Sequence, residues 1–312
     1  MNNQIKHSLL LVLTAVIWGS SFVAQSTGGD AIGPFAFNGI RSFIGSVVLL
    51  PVIFFFDKKG NAKKPITPEA KKKQLKYGII CGIFLFLAST LQQYGITLGT
   101  DSGKAGFITT FYILLVPIFS LVLKKKSPAN VWVATIIAFF ALYLLCMNSE
   151  FYIASSDVFV MLCAVAFAIH ILFVDRFSPE VDGVRLSCIQ FCTCGVLSII
   201  PAICFDIVPM GISAWIGYFL TAGTAVSLFY SGVMSCGVAY TLQIIGQNGL
   251  NPTIASLIMS MESVFAVLSG WLILNEHLST REKIGCILMF IAIIISQLPF
   301  DKIIKKHIKQ KA

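Results

Sequence analysis

Long apolar runs separated by short polar stretches dominate the chain. Ile79 to Leu91 and Val131 to Met147 pass with almost no polar interruption, and several segments approach the ~20 residues that cross ~30 Å of hydrocarbon. A water-soluble fold of this length would punctuate such runs every few residues. The pattern predicts ten spanning helices, at about 8–26, 34–56, 77–98, 104–123, 131–147, 157–174, 185–205, 226–246, 253–273 and 282–298. The stretch 212–225, with Trp215 and Tyr218, reads either as an interfacial segment or as an early start to the eighth helix. Lys6 and His7 ahead of the first apolar run resemble a secretory signal, but many equivalent segments follow, so this run reads as the first span.

Composition strengthens the membrane reading: of 312 residues 56% are apolar and only 12% charged, about half the charged share of an ordinary soluble domain. The net charge of +9 invites a nucleic-acid reading, with 58–76 as a basic patch, but topology explains it better. With the N-terminus inside, nineteen of the twenty-three basic residues fall on inside segments, three (Lys104, Arg281, Lys283) fall outside and Arg41 lies within a span. The positive-inside rule then predicts both termini in the cytoplasm. Nine cysteines sit in or beside apolar segments with neither disulfide nor metal spacing, and read as small packing residues.

A weak internal repeat runs at half the chain length. Ala15-Val16 matches Ala164-Val165, Ile40-Arg41 matches Ile189-Gln190, Thr90-Leu91-Gln92 matches Thr241-Leu242-Gln243, and Ala105 to Ile108 matches Ala255 to Ile258, at offsets of 149 to 151. The predicted units are 1–148 and 149–300, followed by a basic cytoplasmic tail, 301–312. Five spans per unit is an odd number, so the second unit enters the membrane from the opposite side. Such inverted repeats recur among secondary transporters, with the site near the midplane between them.

Nearly the whole chain resembles the drug/metabolite transporter superfamily, specifically proteins with two tandem EamA domains. The resemblance is carried by Ala15 to Phe22, Ala105 to Ile108 with Val116-Pro117, Ala239 to Gln243, and Glu262 to Ala266 followed by Asn275-Glu276. It implies an all-α membrane protein of ten helices around a central cavity, exporting amino acids or related metabolites across a bacterial cytoplasmic membrane. Three departures stand out. The family's Glu-Pro is Glu262-Ser263 here, its Gly-Glu is Asn275-Glu276, and Lys124 to Lys126 occupy the corresponding place in the first repeat.

The candidate substrate-binding residues are polar or aromatic groups within spans: Trp18, Ser21, Arg41, Gln92, Tyr112, His170, Tyr240, Gln243 and Glu262. Arg41 and Glu262 carry the most weight, because a charge central in a bilayer costs roughly 2.5–3.5 kcal/mol and must be paired, neutralised or wet. An ion pair between them is attractive; satisfaction by neighbouring hydroxyls is the alternative. Gln92 and Gln243 read as cavity groups or interhelical glue, and the tyrosines as solute contacts or anchors. The small residues Gly19, Ser20 and Ser21 beside Trp18 allow either close packing or a local break. His170 reads as a proton switch or as a satisfied interfacial histidine. These positions predict a path lined by the first, third, fourth, sixth, eighth and ninth helices.

The expected function is a secondary transporter of small metabolites working by alternating access. Amino acids or other zwitterionic or weakly polar solutes are the preferred cargo, with a proton as the candidate coupling ion and no cofactor. One intramembrane arginine is too little for a phosphate dianion. A membrane enzyme or a non-transporting receptor is the competing class. Zinc-protease, phosphate-loop and nucleophile motifs are not found in the sequence.

Overall fold

A computed structural model describes residues 3–58, 60, 64–100, 102–124, 127–146, 154–273 and 279–298. The described residues form helices α1 (Asn3–Ile32), α2 (Pro34–Lys58), α3 (Pro68–Thr97), α4 (Ser102–Thr109 and Tyr112–Val122), α5 (Ala129–Cys146), α6 (Ser155–Phe177), α7 (Gly183–Met210), α8 (Ala222–Gln247), α9 (Pro252–Met259 and Glu262–Ile273) and α10 (Thr280–Gln297). A short helix, Ile212–Phe219, stands between α7 and α8. Among the described residues seven helices (α2, α3, α6, α7, α8 and the stretches 105–122 and 252–269) are long and apolar enough to cross a membrane, and α5 is a shorter apolar helix. Asn275-Glu276, Lys125, Lys126 and the basic tail lie outside the described residues.

Local chemistry sets the helix ends. The Thr67 hydroxyl accepts from the Ala70 N–H at 3.2 Å, with Pro68 at the first helical position of α3. Asn251 caps α9 from the Thr253 N–H at 2.9 Å, again followed by proline. Asp182 caps α7, and Ser279 with Glu282 forms a capping box on α10. Each arrangement satisfies donors that a helix start leaves unpaired. Between α1 and α2 the chain reverses at Gly33, whose φ of +90° suits glycine. The Asp206 carboxylate of α7 then accepts from the Ala36 N–H at 2.6 Å and ties α7 to the start of α2.

Packing follows the repeat. α2 lies on α7 and α5 on α10; α3 packs on α6 and α7 as α8 packs on α1 and α2. Exchanging the two halves leaves this list unchanged. Phe54, Val122, Ile200 and Leu220 point outward, over 70% exposed, an apolar exterior suited to lipid. Buried positions carry many serines, threonines and glutamines instead. The close approaches rest on small residues: a β-carbon on Gly19 of α1 would stand 2.5 Å from the Glu262 carbonyl oxygen and 2.7 Å from the Ala266 nitrogen of α9. Close packing is thus what Gly19 provides.

Trp215 belongs to the separate short helix, donating its indole N–H to the Ile32 carbonyl at 2.9 Å and stacking on Phe219. The chain breaks before α8, where Thr221 caps the new helix.

Candidate functional site

The centre of the bundle is organised by a matched irregularity. In α4 the backbone ladder tightens for one turn, with Phe111 donating to Ile108 and Ile113 to Thr110. In α9 Met261 donates to Ile258 and Ser263 to Ser260, the same three-residue pattern 150 positions later. Hydroxyls reinforce both places: Thr110 bonds the Gly106 and Phe107 carbonyls at 2.7 and 2.9 Å, and Ser260 bonds the Leu257 carbonyl at 2.7 Å. A short 3₁₀ turn within a helix is a recurrent mark of a functional hinge.

Tyr112 and Glu262 are the first residues beyond these two turns and occupy equivalent positions in the repeat. They meet: the Tyr112 hydroxyl donates to Glu262 Oε1 at 3.3 Å. Around the pair lies a cavity of about 50 Å³ lined by residues of both halves, enough for about three to five waters at ~10–15 Å³ each.

Seven of the nine candidate residues line this cavity: Trp18, Arg41, Gln92, Tyr112, Tyr240, Gln243 and Glu262. Trp18 and Tyr240 bring their rings within 4.6 Å of each other, and Gln92 donates to Thr109 at 3.0 Å. The Arg41 guanidinium is fixed from within its own half. Nη1 donates to Gln25 Oε1 at 2.8 Å, while Nη2 and Nε donate to Asn38 Oδ1 at 3.1 and 3.2 Å. Asn38 is held in turn, giving its amide hydrogens to Ser89 and Thr90 at 3.0 Å each. Gln25 and Asn38 were not among the candidates. Polarity inside a span, one helical turn from Arg41 for Asn38, is the signal that would have found them.

Two candidates sit elsewhere. Ser21 is buried against its own helix, donating to the Ile17 and Trp18 carbonyls at 2.9 Å. His170 is fully buried, its Nε2 3.1 Å from Gln190 Oε1. It lies on α6 two turns before the helix ends at Phe177, with its side chain turned into the bundle. Nor do Arg41 and Glu262 form an ion pair among the described residues. Both charges reach one cavity, and each meets only neutral partners.

The chain matches the model of the EamA-like transporter family twice, over residues 5–147 and 154–298. It is similar to an uncharacterized transporter of Archaeoglobus fulgidus, 29% identical over 289 residues, covering 92% of this chain and 84% of the relative. It is also similar to the uncharacterized transporter YoaV of Bacillus subtilis, 25% identical over 309 residues and covering 96% and 99%. A crystal structure shares the fold with a TM-score of 0.72 at 18% identity, covering 94% of this chain and 96% of that one. With two matched units, an apolar exterior and a polar centre, this chain belongs to the EamA-like transporter family, as a tandem-domain membrane protein and not an enzyme.

Proposed function

We propose that the protein is a secondary transporter that exports amino acids or related zwitterionic or weakly polar solutes by alternating access through the central cavity. One observation carries this reading: a guanidinium and a carboxyl group face the same cavity without pairing to each other. A zwitterion supplies the opposite charge to each, and the rings of Trp18 and Tyr240 offer apolar faces beside them. A buried charge is costly until paired, so both residues favour a ligand that completes them.

In this reading the chain makes ten spans as two inverted five-helix units, 1–148 and 149–300, with both termini cytoplasmic in a bacterial inner membrane. The nineteen-to-three distribution of basic residues supports that orientation. The paired 3₁₀ turns of α4 and α9 are the hinges about which the halves rock, and Glu262 is the site for a coupling proton. Counterflow in proteoliposomes against a panel of amino acids and other metabolites tests the reading. Exchange of amino acids is expected. Failure across the panel while a phosphorylated or purely cationic solute exchanges would reject it.

A further inference from the structure

From the cavity a second row of polar groups continues along α8. Gln243 lines the cavity, and Gln247 lies four residues on, one turn along the same helical face. Both are 1% exposed. Gln243 Oε1 and both amide atoms of Gln247 have no hydrogen-bond partner among the described residues. An unsatisfied buried amide is destabilising, and hydrocarbon offers it no water in exchange. A leucine at position 247 would fill the same space without that cost, so structure alone gives no reason for glutamine there.

The surroundings of Gln247 form a closed seal. Gly246 lets α1 come so near that a β-carbon there would stand 2.8 Å from a Leu11 methyl and 3.1 Å from the His7 carbonyl. Leu11 of α1 and Ile244 of α8 are fully buried. Beyond the seal is the basic face of the molecule. There His7 Nδ1 lies 3.0 Å from the Ile245 carbonyl oxygen, Gln74 bonds both backbone groups of Asp182 at 2.9 and 3.1 Å, and Arg185 pairs with Asp57. A further apolar-and-polar depression, lined by His7, Asp182, Ile245 and Asn248, opens on that face.

We infer that Gln243 and Gln247 line the solute's passage between the central cavity and the basic face, and that this structure holds the passage shut at the α1–α8 contact. When α1 and α8 part, the amide of Gln247 becomes a wetted wall that hydrogen-bonds the passing polar solute. Closed, it is a dry group whose unpaired atoms keep the shut state from being too stable. This rests on the transporter reading and adds the route on one side.

The test uses the full chain with its native cysteines replaced, in vesicles of both orientations, and a membrane-impermeant charged maleimide. The single cysteine is introduced as Gln247→Cys or, as an equally buried control near the same end of the bundle, as Ala255→Cys. The Gln247→Cys thiol is expected to react at least tenfold faster than the Ala255→Cys thiol when the reagent is on the basic-face side, and not measurably from the other. Equal rates, or labelling from the opposite side, would overturn the inference. As a second readout, Gln247→Leu is expected to keep or raise the melting temperature while lowering counterflow at least tenfold; undiminished flux would overturn it. If the wild type exchanges no solute at all, the transporter reading fails, and the labelling rates still decide whether the passage exists.

Discussion

The two halves share a backbone and differ in chemistry at the places that matter. Both break their fourth helix at the same point, 150 residues apart, and present the first residue beyond the break to the common cavity. In the first half that residue is Tyr112, in the second Glu262. The positively charged member is reversed: Arg41 in the first half stands where the second has Gln190, which pairs with His170 rather than reaching the cavity. Wide π-helical turns, Ala202–Ile207 in α7 and Tyr230–Ala239 in α8, occur only in the second half among the described residues. The shared irregularities are set by hydroxyls that bond back to the helix. The unshared side chains give the cavity two different walls, Arg41 from the first half and Glu262 from the second.

Substitutions at equivalent positions sharpen this comparison. Asn38 and Ser187 are mates at an offset of 149, yet Asn38 accepts both Nε and Nη2 of Arg41 while Ser187 accepts only from Thr241. Asn38→Leu is expected to cost about 3 kcal/mol or more in reversible unfolding in detergent, since bonds to a charged group contribute ~1.5–3 kcal/mol each, against about 1 kcal/mol for Ser187→Ala. Equal costs would mean that Arg41 does not depend on this scaffold. Gly19 and Ala168 are also mates. Gly19→Ala drives a methyl group into the backbone of α9 and should lose about 1–3 kcal/mol by the same assay. Ala168→Gly should lose only about 0.5–1 kcal/mol, the ordinary helix penalty.

Smaller effects follow at the edges. Tyr112→Phe removes the hydroxyl on Glu262; counterflow is expected to fall three- to tenfold with folding intact, and a variant as fast as wild type would make that contact incidental. At the basic face, the Lys73 ammonium at 2.6 Å, with the Tyr77 hydroxyl, holds the Glu180 carboxyl below its ordinary value. A carboxylate depressed on folding stabilises the protein above its unfolded value of about 4.5, and that gain disappears as pH falls through the lower folded value. Because the pair is exposed to solvent, the effect is slight. Lys73→Met should flatten the melting-temperature profile only below about pH 5, and a change near neutrality would point to another group.

The helical segments were legible in the sequence because hydrocarbon enforces long apolar runs, and the repeat because four short matches kept their offsets within 149 to 151. The 3₁₀ turns were hidden, since Thr110-Phe111 and Ser260-Met261 are ordinary residues in an apolar helix and only the bonding of their hydroxyls marks the place. Seven candidate residues lie on one cavity because polarity within a span is a strong selector of position. It did not tell which way a side chain turns: Ser21 and His170 are as polar as Gln92 but face their own helix or a buried neighbour. Gln25 and Asn38 escaped notice because neither belongs to the repeat matches that brought out Gln92 and Gln243, although those two amides hold the Arg41 charge in place.

If Arg41 and Glu262 together receive a solute bearing both charges, as proposed above, transport needs both residues at once. Counterflow of a mixed amino-acid pool by wild type, Arg41→Gln, Glu262→Gln and the double variant, each matched for folding and membrane level, tests it most directly. Each single variant is expected to lose at least a hundredfold, with the double little worse than either, because a zwitterion held at one end is no longer held in register. Unchanged rates in both single variants would contradict the account.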